Sequence, residues 1–546
     1  MTPRSTAREI SSNVAALVLE NARRVPERVA LVVPRGDTDG HEEVITYGGL
    51  AMRIAQLSAG LARAGMREGD RAVLLFPVSV DFYALSLAVL ASGMTVVLID
   101  GALGLKRTLV AIEASRARAI VSVRAAMRLW PVLPPTWRAK RFTSDAPPPG
   151  VQSLDALLVS PSEAGEARAL ARRADDEALV TFTSGSSGRP KGADRTHGLL
   201  VAQHHALREE CPDEDGEVDM PCFPAVGLHD LCCGMTTVLP PVDLRRPASV
   251  DPARVLRAIA RWKVTRMSGA PAYMDRIASV MAPDDERVRG MRCVAVGGAP
   301  IGRKLAAKIA DRFARARSLA LYGSTEAEPI ASTTMREIAS ARGEGYLVGR
   351  VAPVAEVELV RLPEIAPELD ARGLAPYRVA SDGSAGADDS AEVVVRGPHV
   401  NRRYVGDDEA NRRLKIPTID GDVWHRTGDL ARKDDDARLW LTGRTPDVVV
   451  HRGKRVLPYA IEADAGDARG VHRAALVAHE GAPDGELAVS LEAGAASEDA
   501  RHTLRALLDA RGLERVPIRV VEEIPTDARH QSKTDRASLR LALRGR

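Results

Sequence analysis

LVTFTSGSSGRPKG, residues 179–192, is an apolar run that breaks into glycines, hydroxyls and one lysine. The first half reads as a buried strand, rich in β-branched and aromatic residues. In the second half, Gly185, Gly188 and Gly192 let backbone N–H groups close around an anion. Thr183, Ser184, Ser186 and Ser187 add hydroxyl donors, and Lys191 adds charge. Lys191 precedes glycine rather than Ser or Thr, so this is not a Walker A loop. A flexible Gly/Ser linker fits less well, because the segment follows a strand directly and contains Arg189-Pro190-Lys191. The pattern predicts a strand ending in a phosphate-binding loop.

The flanking sequence supports that reading. Residues 29 to 130 alternate strand and helix signals: RVALVV, GGLAMRIAQLSAGLARAGM, RAVLLF, FYALSLAVLA, TVVLID and TLVAIEASRARAIVSV. This predicts α/β layers with largely parallel strands. The uncharged run from Phe82 to Ile99 just reaches a membrane-spanning length of ~18 residues. It changes character at Ser92-Gly93, so it reads as a helix feeding a buried strand, with no transmembrane span. Residues 143–176, rich in Pro, Ser, Ala and charge, read as a surface connection, and 361–390, rich in Pro, Ala, Asp and Gly, as an irregular insertion. The runs PCFPAV, RMSGAPAY, CVAVGGAP and LALYGSTE end in small residues, where ligands approach backbone. Beyond Gly443-Arg444, hairpins, strands and a helix predict a small α+β unit. The expected domains are therefore 1–443 and 444–546.

Length and charge bound the function. A chain of 546 residues exceeds a single core. A net charge of +3 leaves no footprint for nucleic acid or an anionic membrane. The amino-terminal 30 residues lack a signal-peptide core and read as an amphipathic helix with Val14, Leu17 and Val18 on one face. Five scattered cysteines predict no disulfide framework and a reducing, cytoplasmic setting. There are ten lysines against 66 arginines. A lysine retained in such a chain marks a place for a compact ammonium, and Lys191 and Lys533 both fall in motifs.

Those motifs are GGAP at Gly297 to Pro300, YGSTE at Tyr322 to Glu326, and RTGDL at Arg426 to Leu430. Two more are GRTPDVVVHRGKRVLPYAIE at Gly443 to Glu462 and IPTDARHQSKTDR at Ile524 to Arg536. With the 179–192 loop, they resemble in content and order the acyl-adenylate-forming superfamily of acyl-CoA synthetases, peptide-synthetase adenylation domains and luciferases. The resemblance spans nearly the whole chain. It implies a large amino-terminal α/β domain with a small carboxy-terminal lid, and ATP-dependent adenylation of a carboxylic acid. It assigns ATP contacts to Thr183, Ser184, Gly185, Ser186, Ser187, Gly188, Lys191, Gly297, Gly298, Ala299, Pro300, Tyr322, Gly323, Ser324, Asp429 and Arg444. Catalysis falls to Thr325, Glu326 and Lys533, with Glu326 on Mg2+.

The chemistry agrees residue by residue. Gly297 and Gly298 let a base lie on bare backbone, and Tyr322 offers it an aromatic face. The Thr325 hydroxyl suits the α-phosphate. Glu326 is a hard oxygen ligand. Asp429 suits ribose hydroxyls, and Arg444 suits ribose or phosphate oxygens.

Three segments resemble the β-lactone synthetases of long-chain olefin biosynthesis most: 221–248, YGSTEAEPI, and IPTDARHQSKTDR with Arg529-His530. Those enzymes take a 2-alkyl-3-hydroxy fatty acid, and the substrate's own hydroxyl displaces AMP without CoA. The resemblance implies a fatty-acid-type substrate and possible association with other enzymes of that pathway. Many CoA ligases carry a histidine in P-x-x-H, where this chain has Gly227 after Pro224; a small residue there leaves room for a second alkyl chain. Pro446 stands where CoA ligases carry the Asp or Lys on which the lid swivels, and proline fixes φ. A fatty acyl-CoA ligase, or a fatty acyl-AMP ligase loading a carrier protein, is the alternative.

Overall fold

The computed structural model describes residues 13–36, 40–184, 189–244, 246–378, 390–527 and 531–544. The strand Glu177–Ser184 belongs to an eight-stranded sheet. It runs parallel to Thr95–Ile99, which runs parallel to Arg71–Leu75. Successive side chains of these strands face opposite cores. Leu74, Val96 and Leu179 point to one cluster, while Val73, Val97 and Val180 point to another. Burial on both faces explains why these strands are continuously apolar rather than alternating.

The helix Val80–Ala91 buries ten of its twelve residues in the first cluster, with Val14–Arg24 and Tyr47–Arg63. Gly93, at φ +69°, turns the chain from this helix into Thr95–Ile99. No helix among the described residues is long and apolar enough to cross a membrane.

The other side of the helical layer packs on a fourteen-stranded sheet. Its parallel half contains Val218–Pro221, Arg266–Gly269, Cys293–Gly297 and Arg317–Ser324. Its antiparallel half runs on through Ala327–Thr334, Tyr346–Val351, Leu439–Arg444 and Val423–Lys433. The register Gly297↔Leu321 brings GGAP and YGSTE to one sheet edge.

Leu439–Arg444 still pairs within this sheet. After Val448 the chain forms a hairpin, Val449–His451 with Lys454–Val456, and a three-stranded sheet of Val471–His479, Ala482–Leu491 and Ile518–Val520. These have apolar clusters of their own.

Three expectations change. Residues 143–176 are not all surface: Leu154, Leu157 and Val159 are buried, and Leu157 carbonyl oxygen sits where a Cβ on Gly60 would be, 1.8 Å away. A composition of Pro and charge hid these spaced apolar anchors. PCFPAV is not one apolar run; a strand ends at Pro221 and a helix, Pro224–Cys233, starts with proline in its first turn. Cys211 and Cys293 are bonded across 82 residues, while Cys222, Cys232 and Cys233 are free. One crosslink is not a framework.

Candidate active site

A cavity of about 3870 Å³ opens along the edge where the two sheets meet the carboxy-terminal unit. Thr183, Lys191, Gly298, Ala299, Pro300, Tyr322, Gly323, Ser324, Thr325, Glu326, Asp429, Arg444 and Lys533 all line it. Gly297 lies at the end of its strand, just before this lining. Residues from six motifs, scattered over more than 300 positions, thus share one space. Two glycines fit for steric reasons. Gly298 has φ +90°, and a Cβ on Gly323 would sit 2.9 Å from Ala327 carbonyl oxygen. Ser184 ends its strand, while Gly185, Ser186, Ser187 and Gly188 lie outside the described residues.

Tyr322, Asp429 and Arg444 form one bonded group. Tyr322 Oη donates to Asp429 Oδ2 at 2.8 Å, and Arg444 Nε donates to Asp429 Oδ1 at 2.9 Å. Asp429 and Arg444 face each other across paired strands, which fixes this geometry. Burial and the Asp429 charge hold the Tyr322 phenol protonated. Both Asp429 oxygens have a fixed donor, so the carboxylate is held in one orientation.

Glu326 sits in a second group that the sequence did not reveal. Tyr404 Oη donates to Glu326 Oε1 at 2.9 Å. The Lys191 and Lys415 ammoniums lie 5.7 and 4.9 Å from the Tyr404 ring centroid. Lys415 is 5% exposed and donates to the backbone carbonyl of Asn401 at 2.7 Å. Asn401 N in turn donates to Glu326 carbonyl oxygen at 2.8 Å.

Burial alone would raise the Glu326 pKa, but His425, Lys415 and the Tyr404 bond together lower it to about 2. Burial lowers His425 to about 3, so that ring is neutral near pH 7. With that ring neutral, the cationic charge near Glu326 comes from Lys191 and from Lys415, the latter lowered by burial to about 7. An ionised carboxylate on the cavity, oriented by a phenol, fits a magnesium ligand. The scarcity of lysine was the signal that could have flagged Lys415.

Lys533 lies on an exposed segment anchored at both sides. Its N–H donates to Asp527 Oδ1 at 2.7 Å. Ala272 N donates to Ser532 Oγ at 3.1 Å, and Ala248 N to Gln531 Oε1 at 2.9 Å. The carboxy-terminal unit is thereby docked with Lys533 at the cavity. Arg529 and His530 lie outside the described residues.

Gly227 corrects an expectation. A Cβ there would lie 2.2 Å from Tyr83 Oη, which donates to Pro224 carbonyl oxygen at 3.1 Å. The space beside Gly227 is filled by this phenol and holds no alkyl chain.

A cleft with glycine edges, a fixed acid–arginine pair and a lysine presented by the carboxy-terminal unit fits an AMP-forming acid ligase, which adenylates a carboxylic acid with ATP. The chain belongs to the AMP-binding enzyme family, which residues 18–405 match. It is 32% identical to an olefin beta-lactone synthetase of Stenotrophomonas maltophilia, over 96% of this chain and 97% of that one. It is 31% identical to the olefin beta-lactone synthetase of Xanthomonas campestris pv. campestris, over 79% and 78%. A feruloyl-CoA synthase of Amycolatopsis is 29% identical, over 84% and 85%. In fold it is similar to ATP-bound MatB from Rhodopseudomonas palustris, with TM-score 0.79, 21% identity, and 98% and 99% of the chains covered.

Proposed function

We propose that this enzyme adenylates a 2-alkyl-3-hydroxy fatty acid and closes it to a β-lactone without CoA. The observation that carries the reading is identity above 30%, over most of the chain, to two olefin beta-lactone synthetases. At Gly227 a Cβ would crowd the Tyr83 phenol, so the histidine that many CoA ligases carry in P-x-x-H has no ready room here.

The residues divide the work as follows. Backbone at Gly297, Gly298 and Gly323, with the Tyr322 ring, receives the adenine. Asp429 and Arg444 hold the ribose. Thr183 to Gly188 and Lys191 hold the phosphates, with the Thr325 hydroxyl on the α-phosphate. Glu326 is suited to hold Mg2+, which when bound neutralises phosphate charge.

In the first step a substrate carboxylate oxygen attacks the α-phosphorus, and the bond to pyrophosphate breaks with its electron pair. The Lys533 ammonium stabilises the charge that develops there. In the second step the substrate's 3-hydroxyl oxygen attacks the acyl carbon. The acyl–AMP bond breaks, AMP leaves, and the hydroxyl proton passes to solvent. A nucleophile tethered two carbons from the carbonyl benefits from high effective molarity, so no thiol need enter. Residues 444–546 act as the lid that brings Lys533 to the site.

The test is product analysis by mass spectrometry with ATP, magnesium and a 2-alkyl-3-hydroxy acid, with and without CoA. A lactone in both cases, and a stalled acyl-adenylate from the acid lacking the hydroxyl, is expected. An acyl thioester as main product with CoA, and no lactone without it, makes the chain a CoA ligase. Transfer only to a carrier protein makes it an acyl-AMP ligase.

A further inference from the structure

Two helices that wall the cavity bring together three side chains that the proposed reaction does not use. His204 comes from His197–Glu210, and His229 and Cys233 from Pro224–Cys233. The latter two are four residues apart and share a helix face. His204 Nδ1 lies 3.1 Å from His229 Nδ1, and Cys233 Sγ lies 3.6 Å from His229 Nε2. One donor atom from each of the three falls within 4.8 Å of the others.

We propose that His204, His229 and Cys233 form a binding site for a borderline-soft divalent metal ion, zinc foremost. Three arguments support it. The first is distance: a nitrogen at ~2.0 Å and a sulfur at ~2.3 Å from one tetrahedral zinc are about 3.6 Å apart, the observed separation of His229 Nε2 and Cys233 Sγ; His204 Nδ1 lies beside the other nitrogen of that ring, so the His204 ring has to turn to join the same ion. The second is donor type. Two imidazoles and a thiol suit zinc, whereas magnesium takes oxygen ligands, so this site is distinct from Glu326.

The third is placement: His204 and His229 are 5% and 8% exposed, so an ion there is held away from bulk solvent. The Cys233 proton leaves to solvent as the sulfur–metal bond forms. His204 and His229 both line the cavity.

The test uses the full chain, purified with chelator and titrated with Co2+. One equivalent should bind, with a thiolate-to-cobalt charge-transfer band and the strong visible bands of four-coordinate cobalt. Added Zn2+ should abolish both. Cys233→Ser should lose the charge-transfer band. His204→Gln should weaken cobalt by at least the ~10-fold that follows loss of a supporting partner. No band in wild type, with the free thiols shown to be reduced, overturns the proposal. So does a band that survives in Cys233→Ser, because Cys222 or Cys232 would then be the ligand. If Cys233→Ser does not fold, unchanged cobalt affinity in a folded His204→Gln overturns it equally.

Discussion

Lys415 is a nearly inaccessible ammonium in a chain that otherwise favours arginine. Its charge matters where Glu326 is at risk of protonation. Below pH 7 Lys415 carries its proton and helps hold Glu326 near 2. Above pH 7 it loses the proton, but Glu326 is then far from titrating. Lys415→Met removes the cation and leaves the burial, so the Glu326 pKa must rise. The pH profile of pyrophosphate release should show a new acid limb in Lys415→Met, within the range where wild type is flat. Identical profiles would separate Lys415 from Glu326.

At Lys533 the argument is Coulombic. A unit pair ~4 Å apart at an effective dielectric of 20 interacts by about 4 kcal/mol, or about a thousandfold in rate. Lys533→Ala should lower AMP formation by about that factor with an unchanged melting temperature, since the side chain is exposed. Normal AMP formation would remove it from the mechanism. Glu326→Gln should raise the magnesium needed for half-maximal rate; an unchanged requirement would place the ion elsewhere.

Elements differ in how plainly the sequence announces them. The parallel strands and the Val80–Ala91 helix were readable because burial on both faces leaves long apolar runs, cut by Gly93. The glycine, Asp429 and Arg444 positions were singled out by the resemblance of their motifs, and the structure brings Gly298, Gly323, Asp429 and Arg444 to one cavity. Tyr404, Lys415 and His425 were not, because nothing local marks a strand residue that faces Glu326 only after folding. The His204, His229 and Cys233 group was hidden likewise, with the two histidines 25 positions apart.

Helix Pro224–Cys233 shows the same limit. Gly227 looked like space, yet its meaning depends on Tyr83 from another helix. Gly227→Ala should cost about 1–3 kcal/mol, as overpacking does, and Tyr83→Phe should relieve part of it by removing the oxygen at 2.2 Å. Chemical denaturation measures both. Additive losses in the double variant would show that the two side chains do not compete for this space.

Across the whole molecule, ion pairs join the carboxy-terminal unit to the rest, beside the packing of Tyr459 on Tyr346. Arg303 pairs with Asp464 at 2.9 Å and with Asp467. Lys304 Nζ reaches Ala468 and Val471 carbonyl oxygens at 2.8 and 3.1 Å and Glu492 at 3.2 Å. Arg511 pairs with Glu344 at 3.0 Å. Within the unit, Arg536 pairs with Glu462 at 2.7 Å and with Asp447 at 3.3 Å, and Arg540 reaches Asp447 at 3.5 Å. The turn Thr445–Asp447, with Pro446 at its centre, is thus tied to the unit it precedes, so rotation at Pro446 itself is not needed to move it. Pro446→Asp should leave lactone formation largely unchanged, whereas a CoA ligase reliant on its swivel would respond.

A polar interface of this kind favours reversible docking over permanent packing. Partly exposed pairs contribute ~0.2–1 kcal/mol each. Asp464→Asn with Asp467→Asn should therefore weaken docking by about 2- to 30-fold. Lys533 would then visit the site less often, so the adenylation rate should fall and proteolysis near residues 444–448 should speed up. Melting of the large domain should not change, because its clusters contain none of these residues. Salt should reproduce the effect in wild type by screening the same charges and add little in the double variant. Equal salt sensitivity in both proteins would mean that these pairs do not hold the lid.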